Sequence, residues 1–324
     1  MNEPFISIIV LNWNGKRFLK ECFDSLSVQT ASNFEMIMVD NSSKDGSVDF
    51  ARNNYPKVSI LELKDNLGYT GANNAATGLA RGDYLLFLNN DAKLDRDYIK
   101  ELTSYIGGNP WAKIIATKEY SYDGKNFVSQ SDGFDFLGYG CSYRPGKTCI
   151  APGCAFVIEK KLFSELGGFD EKMFIFHEEL DLCWRAYLVG EEVHRADRCR
   201  FFHLTGGVVS TWTIERRYLG ERNNIRSVLK NYSCPVLFII LPVYLFINCC
   251  EVFYLLLTGQ LKTIKEGYWR AWLDNIKDFK NILREHNKIQ RQRTVNDFEY
   301  LKRTRLVIGK WQAYLKTRKI LSFR

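Results

Sequence analysis

The sequence predicts an α/β fold, with a mostly parallel sheet flanked by helices, followed by a helical C-terminal segment. Three observations point there. Short unbroken apolar runs end abruptly in Asn, Asp or Gly, stretches with helical spacing of apolar residues separate them, and the two kinds alternate along the N-terminal part. Such alternation implies parallel strands covered on both faces by helices. Runs that are apolar at consecutive positions, rather than every second one, suit strands buried on both sides.

Residues 6–11 form the first such run and lead into Asn12-Trp13-Asn14-Gly15. Phe18, Leu19, Cys22, Phe23 and Leu26 then recur at helical spacing, and residues 35–40 supply a second strand. Val48 and Ala51 mark a helix, residues 58–63 a strand, 71–80 a Gly- and Asn-rich helical stretch and 84–88 a further strand. In open sheets of this kind ligands gather at the carboxyl ends of the strands. Those ends read Asn12, Asp40, Lys64-Asp65-Asn66 and Asn89-Asn90-Asp91. From 120 to 147 Gly, Tyr, Ser and Asp dominate and predict irregular chain. Order resumes with a strand at 155–158, helices over 160–166 and 178–189, and a short strand carrying Arg200 to Phe202 into His203. Beyond about Trp212 the chain turns basic and helical around the apolar stretch 234–257, which predicts a catalytic domain over 1–215 and a membrane-associated segment over 216–324.

Length and composition agree with this division. The 324 residues exceed the usual size of one domain, and 46% hydrophobic with 25% charged residues excludes an extended disordered chain. The net charge of +8 is concentrated toward the C-terminus, and residues 310–324 contain no acid, which favours anionic partners. The nine cysteines form no CxxC pair and are odd in number, so reduced thiols are expected rather than a disulfide framework. The run 6–11 is too short for a signal segment, so the N-terminal half is expected to face the cytosol.

Three features carry candidate chemistry. Asp91 follows an apolar strand, His203 ends another, and His177-Glu178-Glu179-Leu180-Asp181 crowds three carboxylates at a helix start. Taken singly, each has an ordinary structural explanation as a turn residue, a core histidine or a helix cap. Acids at adjacent helical positions point different ways, however, so one can face a pocket while another anchors the helix.

Taken in chain order, these blocks resemble the family-two glycosyltransferases of the GT-A fold, in particular the rhamnosyltransferase-like branch of bacterial polysaccharide synthesis. The resemblance is carried by Ser7 to Asn12, Val39-Asp40-Asn41-Ser42-Ser43, Asn66-Leu67-Gly68, Ala72-Asn73-Asn74, Arg81-Gly82-Asp83-Tyr84, Leu88-Asn89-Asn90-Asp91, Gly167-Gly168-Phe169-Asp170, Glu178-Glu179-Leu180-Asp181 and His203-Leu204-Thr205-Gly206-Gly207. It implies a nucleotide-diphosphate-sugar donor, UDP- or dTDP-linked, with Asp40 bonding the base, Asn12 lining the same pocket, Asn66 and Gly68 beside the nucleoside and Asn90 nearby. It further implies that Asp91 and His203 share a divalent cation, Mn²⁺ or Mg²⁺, and that Glu179 is the base of an inverting transfer. Asn89 stands where the metal motif's first acid would be. Glu178, Asp181 and Arg185 would support that helix, and Gly153 with Cys154 would border the acceptor. A hard cation held by few protein ligands keeps sites for the two phosphates and neutralises the departing diphosphate, and the imidazole tilts the choice toward Mn²⁺.

Two other readings compete. A nucleotidyltransferase would carry a Gly-rich basic loop after the first strand, which residues 11–16 lack. An inactive or regulatory membrane-bound nucleotide-sugar binding protein of the same fold would lose the ligands or the base, which are present. The C-terminal cations with Trp269, Trp272, Trp311 and Tyr314 could suit nucleic acid, but the neighbouring apolar stretch favours an anionic membrane. That stretch, 234–257, contains one charge, Glu251, and has the length of a spanning helix. Both its flanks are basic, with Arg216, Arg217, Arg222, Arg226 and Lys230 before it and Lys262, Lys265 and Arg270 after it. Both flanks should then stay cytosolic, which predicts a kinked re-entrant or interfacial helix, a peripheral or monotopic enzyme on the cytoplasmic face of the cell membrane and a polyprenyl-linked saccharide acceptor. A core or homo-oligomer contact is the other role for the stretch.

Overall fold

A computed structural model describes residues 3–129, 133–141, 150–204, 214–304 and 310. Thr205, Gly206 and Gly207, together with Trp212, Arg305, Trp311, Tyr314 and the rest of the basic tail, lie outside the described residues. The chain forms two compact units, one of Met1–Ser131, Ile150–Cys183 and Glu192–Ser210, the other of Asp132–Cys149, Trp184–Glu191 and Thr211–Arg324. The division is thus interleaved rather than a single cut after residue 215. Aromatic packing is the reason: Trp184 stacks on Tyr300 with ring centroids 4.7 Å apart and meets Tyr232 edge-on, and Phe134 lies against Trp184.

In the first unit the strands β1 (Ile6–Asn12), β2 (Phe34–Asp40), β3 (Ser59–Glu62) and β4 (Tyr84–Asn89) pair in parallel in the order β3-β2-β1-β4. The helices α1 (Lys16–Ser27), α2 (Ser47–Asn54) and α3 (Gly68–Ala76) alternate with them. Ile8, Ile9 and Val10 are fully buried at consecutive positions, as a strand covered on both faces requires. After β5 (Ala92–Leu94) and α4 (Tyr98–Gly108) come β6 (Ile114–Ser121) and β7 (Phe127–Ser129); β10 (Ala155–Glu159) and β11 (Val193–His203) complete the sheet. The sheet is mixed rather than mostly parallel. β10 runs antiparallel to both β4 and β6, and β5 antiparallel to β11, while β11 and β6 are parallel. Residues 114–121 are a strand where irregular chain was expected from 120, and the last strand spans eleven residues rather than three, with an irregularity between Ala196 and Arg200. The helices α5 (Lys160–Glu165) and α6 (Glu178–Leu188) fall close to their predicted positions.

The second unit holds the short pair β8 (Gly133–Phe134) and β9 (Gly140–Cys141) and the helices α7 (Ile214–Asn231), α8 (Cys234–Leu257), α9 (Leu261–Thr263), α10 (Arg270–Lys277), α11 (Phe279–Gln292) and α12 (Asp297–Arg303). A π-helical turn, Ile264–Trp269, joins α9 to α10. The cations of α7 were expected as a basic membrane flank. Several point inward instead: Arg226 and Lys230 are buried, with Arg226 bonding Asp278 (2.6 Å) and Asn281 (2.7 Å), and Arg217 reaches Glu251 at 3.0 Å. A buried guanidinium needs such partners, because an unpaired charge in the interior is costly.

The apolar stretch is one uninterrupted helix, α8, with Pro242 inside it. Ile240, Tyr244, Asn248 and Leu255 are buried at spacings that share one helical face. Glu251 lies on that face and pairs with Arg217 and with Lys310 at 2.6 Å. Phe238, Phe246, Phe253 and Leu257 point outward, Phe238 with 82% of its surface exposed.

Candidate functional site

The carboxyl ends of β1, β2 and β4 lie side by side in register, Asn12 opposite Asp40 and Leu11 opposite Asn89. Asn12 Nδ2 lies 2.9 Å from Asp40 Oδ1, 3.1 Å from Ser43 Oγ and 2.8 Å from Ser47 Oγ, and Asn12 Oδ1 accepts from Asn90 Nδ2 at 2.8 Å. Asp40 Oδ2 accepts from the Ser43 backbone N–H at 2.9 Å. The Asn12 and Asp40 side chains are buried and bonded to each other, so they also frame the turn that follows β2. Gly15 is part of the same frame: a Cβ there would stand 1.9 Å from Asn90 Nδ2.

The turn continues into Asn41, which sequence reasoning did not single out. Its Nδ2 donates to Asn66 Oδ1 (2.8 Å) and its Oδ1 accepts from the Leu67 N–H (2.8 Å); Asn66 Oδ1 also accepts from the Gly68 N–H (2.9 Å). The structure therefore brings 40–43 and 66–68 together.

Asp91 and His203 also come together. His203 Nε2 lies 3.4 Å from Asp91 Oδ1, and Nδ1 lies 2.9 Å from Glu119 Oε1. The pairing is carried by the sheet: His203 on β11 stands opposite Ala92 on one side and Ser121 on the other. Burial opposes a charge on His203, but hydrogen bonds to Asp91, Cys154 and Glu119 outweigh it and push its pKa up to about 12. Glu119, Cys154 and His203 have ligand atoms within 4.8 Å of one another. Cys154 thus lies beside His203, and burial pushes its thiol up to about 11. Two adjacent ligands of an octahedral cation at about 2.1 Å stand roughly 3 Å apart, so the Asp91–His203 pair fits a divalent ion with small adjustment.

The carboxylate-rich helix start follows a strained segment. Phe174, Phe176 and His177 have positive φ of 66°, 72° and 68°, values rare for residues with a Cβ and typical of sites where surrounding structure over-determines the backbone. Glu178 is buried, and burial together with the charge of Glu179 pushes its carboxyl well above the usual range. Glu179 is half-buried and lies beside Gly153, where a Cβ would meet its Cδ at 3.3 Å. Tyr69 donates to the Gly153 carbonyl at 2.8 Å. Asp181 is buried in this unit, whereas Arg185 belongs to the second unit. Glu119 and Asn41 were missed, because Glu119 lies on the unexpected strand and Asn41 reads in sequence as one more turn residue.

The architecture is that of a GT-A-like α/β domain. Solved structures share it: S. aureus TarS 1-349 in complex with UDP has a TM-score of 0.53 at 19% identity over 70% of this chain and 66% of that one. GalNAc-T7 with UDP, GalNAc and Mn²⁺ has a TM-score of 0.57 at 17% identity over 71% of this chain and 48% of that one. A family model, Glycosyl transferase family 2, matches residues 7–167, so that segment is similar to the domain of this family. A glycosyltransferase of Haemophilus influenzae is 32% identical over 39% of this chain and 43% of its own length. A PGL/p-HBAD biosynthesis glycosyltransferase of Mycobacterium bovis is 33% identical over 36% and 46%. The chain therefore spans less than half the length of each of these two relatives.

Proposed function

We propose that the first unit is the catalytic domain of a metal-dependent, inverting glycosyltransferase using a UDP- or dTDP-linked sugar. Rhamnose is the first donor sugar to test. The reading is carried by the Asp91–His203 pair at 3.4 Å, set at the strand ends where ligands of open α/β sheets gather. Asp91 and His203 would hold Mn²⁺ or Mg²⁺, which neutralises the leaving diphosphate when bound. The linked turns 40–43 and 66–68 bind the nucleoside. Glu179 takes the acceptor hydroxyl proton while that oxygen attacks the anomeric carbon and the bond to the diphosphate breaks. The raised Glu178 supports this assignment, since a buried acid of that kind is a poor base at neutral pH and the more exposed Glu179 beside it is the carboxylate left for the role.

The outward apolar face of α8 holds the enzyme against the cytosolic side of a membrane, as an interfacial helix whose single acid, Glu251, is neutralised on the protein side. A polyprenyl-linked saccharide is the acceptor such a location serves. Exposed Trp269, with the neighbouring Lys262, Lys265 and Arg270, suits the headgroup layer.

Purified protein is screened for thermal stabilisation and hydrolysis across UDP-, dTDP- and GDP-sugars with Mn²⁺. One donor class should stand out, EDTA should abolish turnover, and Glu179→Gln should abolish transfer while nucleotide binding survives. Turnover intact in EDTA, or near wild-type transfer by Glu179→Gln, removes the metal or the base assignment respectively. Recovery of all the protein in the supernatant without detergent removes the membrane assignment.

A further inference from the structure

We infer that Glu119 is the positioning residue that turns His203 into a metal ligand, by holding Nδ1 so that Nε2 faces Asp91. The inference rests on the metal reading above. A neutral imidazole has one nitrogen that donates and one that accepts, and a partner on the first decides which lone pair is left to bind a cation. Here Glu119 Oε1 stands 2.9 Å from Nδ1, and the ring's far nitrogen points at Asp91 Oδ1.

The carboxylate is itself fixed. Glu119 is 7% exposed, and its second oxygen accepts from Ser129 Oγ at 3.1 Å. Strand pairing delivers the three groups: β6 and β11 are parallel, so Glu119 precedes by two residues Ser121, the partner of His203, and β7 places Ser129 opposite Glu119 on its other side. An acid on the exposed face of a strand would be solvated. This one is enclosed between two strands and spends both oxygens on protein donors, which is the arrangement that orients a ligating histidine and raises its basicity.

Mn²⁺ titrations of the full chain, followed by electron paramagnetic resonance, compare wild type with Glu119→Ala, Glu119→Gln and Asp91→Ala. Glu119→Ala should weaken Mn²⁺ binding about 10–100-fold. Glu119→Gln, whose amide oxygen still accepts from Nδ1–H, should recover most of that loss. In ¹⁵N-histidine spectra of the Mg²⁺-loaded wild type, His203 should carry its proton on Nδ1. Glu119→Ala binding within about two-fold of wild type overturns the inference, since outer partners of ligating histidines are worth at least about ten-fold. An Nδ1 without its proton in the loaded wild type overturns it as well, and that spectrum with the Gln variant decides if the Ala variant does not fold. Wild type that binds neither ion overturns the metal reading itself. Loss of binding in Asp91→Ala with none in Glu119→Ala leaves the metal reading standing and removes Glu119.

Discussion

Gly68→Ala tests whether the turn at 66–68 and the carboxylate-rich helix start are mechanically joined. Gly68 has φ +71°, and a Cβ on it would lie 2.4 Å from the Phe174 carbonyl oxygen and 2.5 Å from the Phe174 ring. Moving from 2.4 Å to the 3.4 Å of an ordinary contact requires about 1 Å of displacement. Neither side yields cheaply. The Phe174 backbone is already left-handed and leads through Phe176 and His177 directly into Glu178. Left-handed backbone costs a residue with a Cβ about 1–2 kcal/mol and overpacking about 1–3 kcal/mol, so the loss of stability should be about 2–5 kcal/mol. For a unit of this size that is a fall in Tm of roughly 5–15 °C. A 1 Å shift of a catalytic group costs on the order of 100-fold in rate, so kcat should fall by that factor as Glu179 moves with the segment. Scanning fluorimetry reads the first quantity and donor-dependent transfer the second. A variant melting with wild type and turning over at its rate would refute the coupling, because it would show that the turn and the loop part without consequence.

Glu178→Gln should stabilise the protein at neutral pH. The folded-state pKa of Glu178 lies above its unfolded value of about 4.3, so the folded form holds the proton more tightly. Its contribution is present below that unfolded value and is lost as pH rises from there through the folded value, a loss the amide does not suffer. Urea midpoints at pH 4 and pH 8 check this; a variant less stable than wild type at pH 8 would mean Glu178 is ionised and paired. Asp278→Ala should destabilise by about 1–3 kcal/mol, less than a fully enclosed pair because Asp278 is 34% exposed, while Arg226 stays buried with Asn281 as its remaining named partner. An unchanged urea midpoint would show that Arg226 is satisfied without Asp278.

Much of the frame was legible along the chain. The runs 6–11 and 84–88 read as buried strands because every residue in them avoids water, and both are strands within a residue or so of the expected ends. The 24 residues of α8 were legible because they carry a single charge, Glu251. Asp91 and His203 were paired only through the order of motifs, and the sheet then put them 3.4 Å apart. The cations before α8 show the limit: Arg226 and Lys230 looked like a surface flank, yet α7 is enclosed by its own unit and buries them.

The sequence alone determined where most of the N-terminal strands and helices form, that polar residues gather at the strand ends, and that one helix is apolar enough for a membrane. These follow from properties that each short stretch carries by itself, its hydrophobic period and its turn residues. Only the tertiary structure decided that β10 runs antiparallel, that Asp40 meets Asn12, that Cys154 lies by His203, and that Glu119 meets the imidazole across 84 residues of chain. A five-residue apolar run carries no mark of its direction, and a carboxylate no mark of its partner. Both are settled when strands distant in sequence pair and bring those side chains within hydrogen-bond reach.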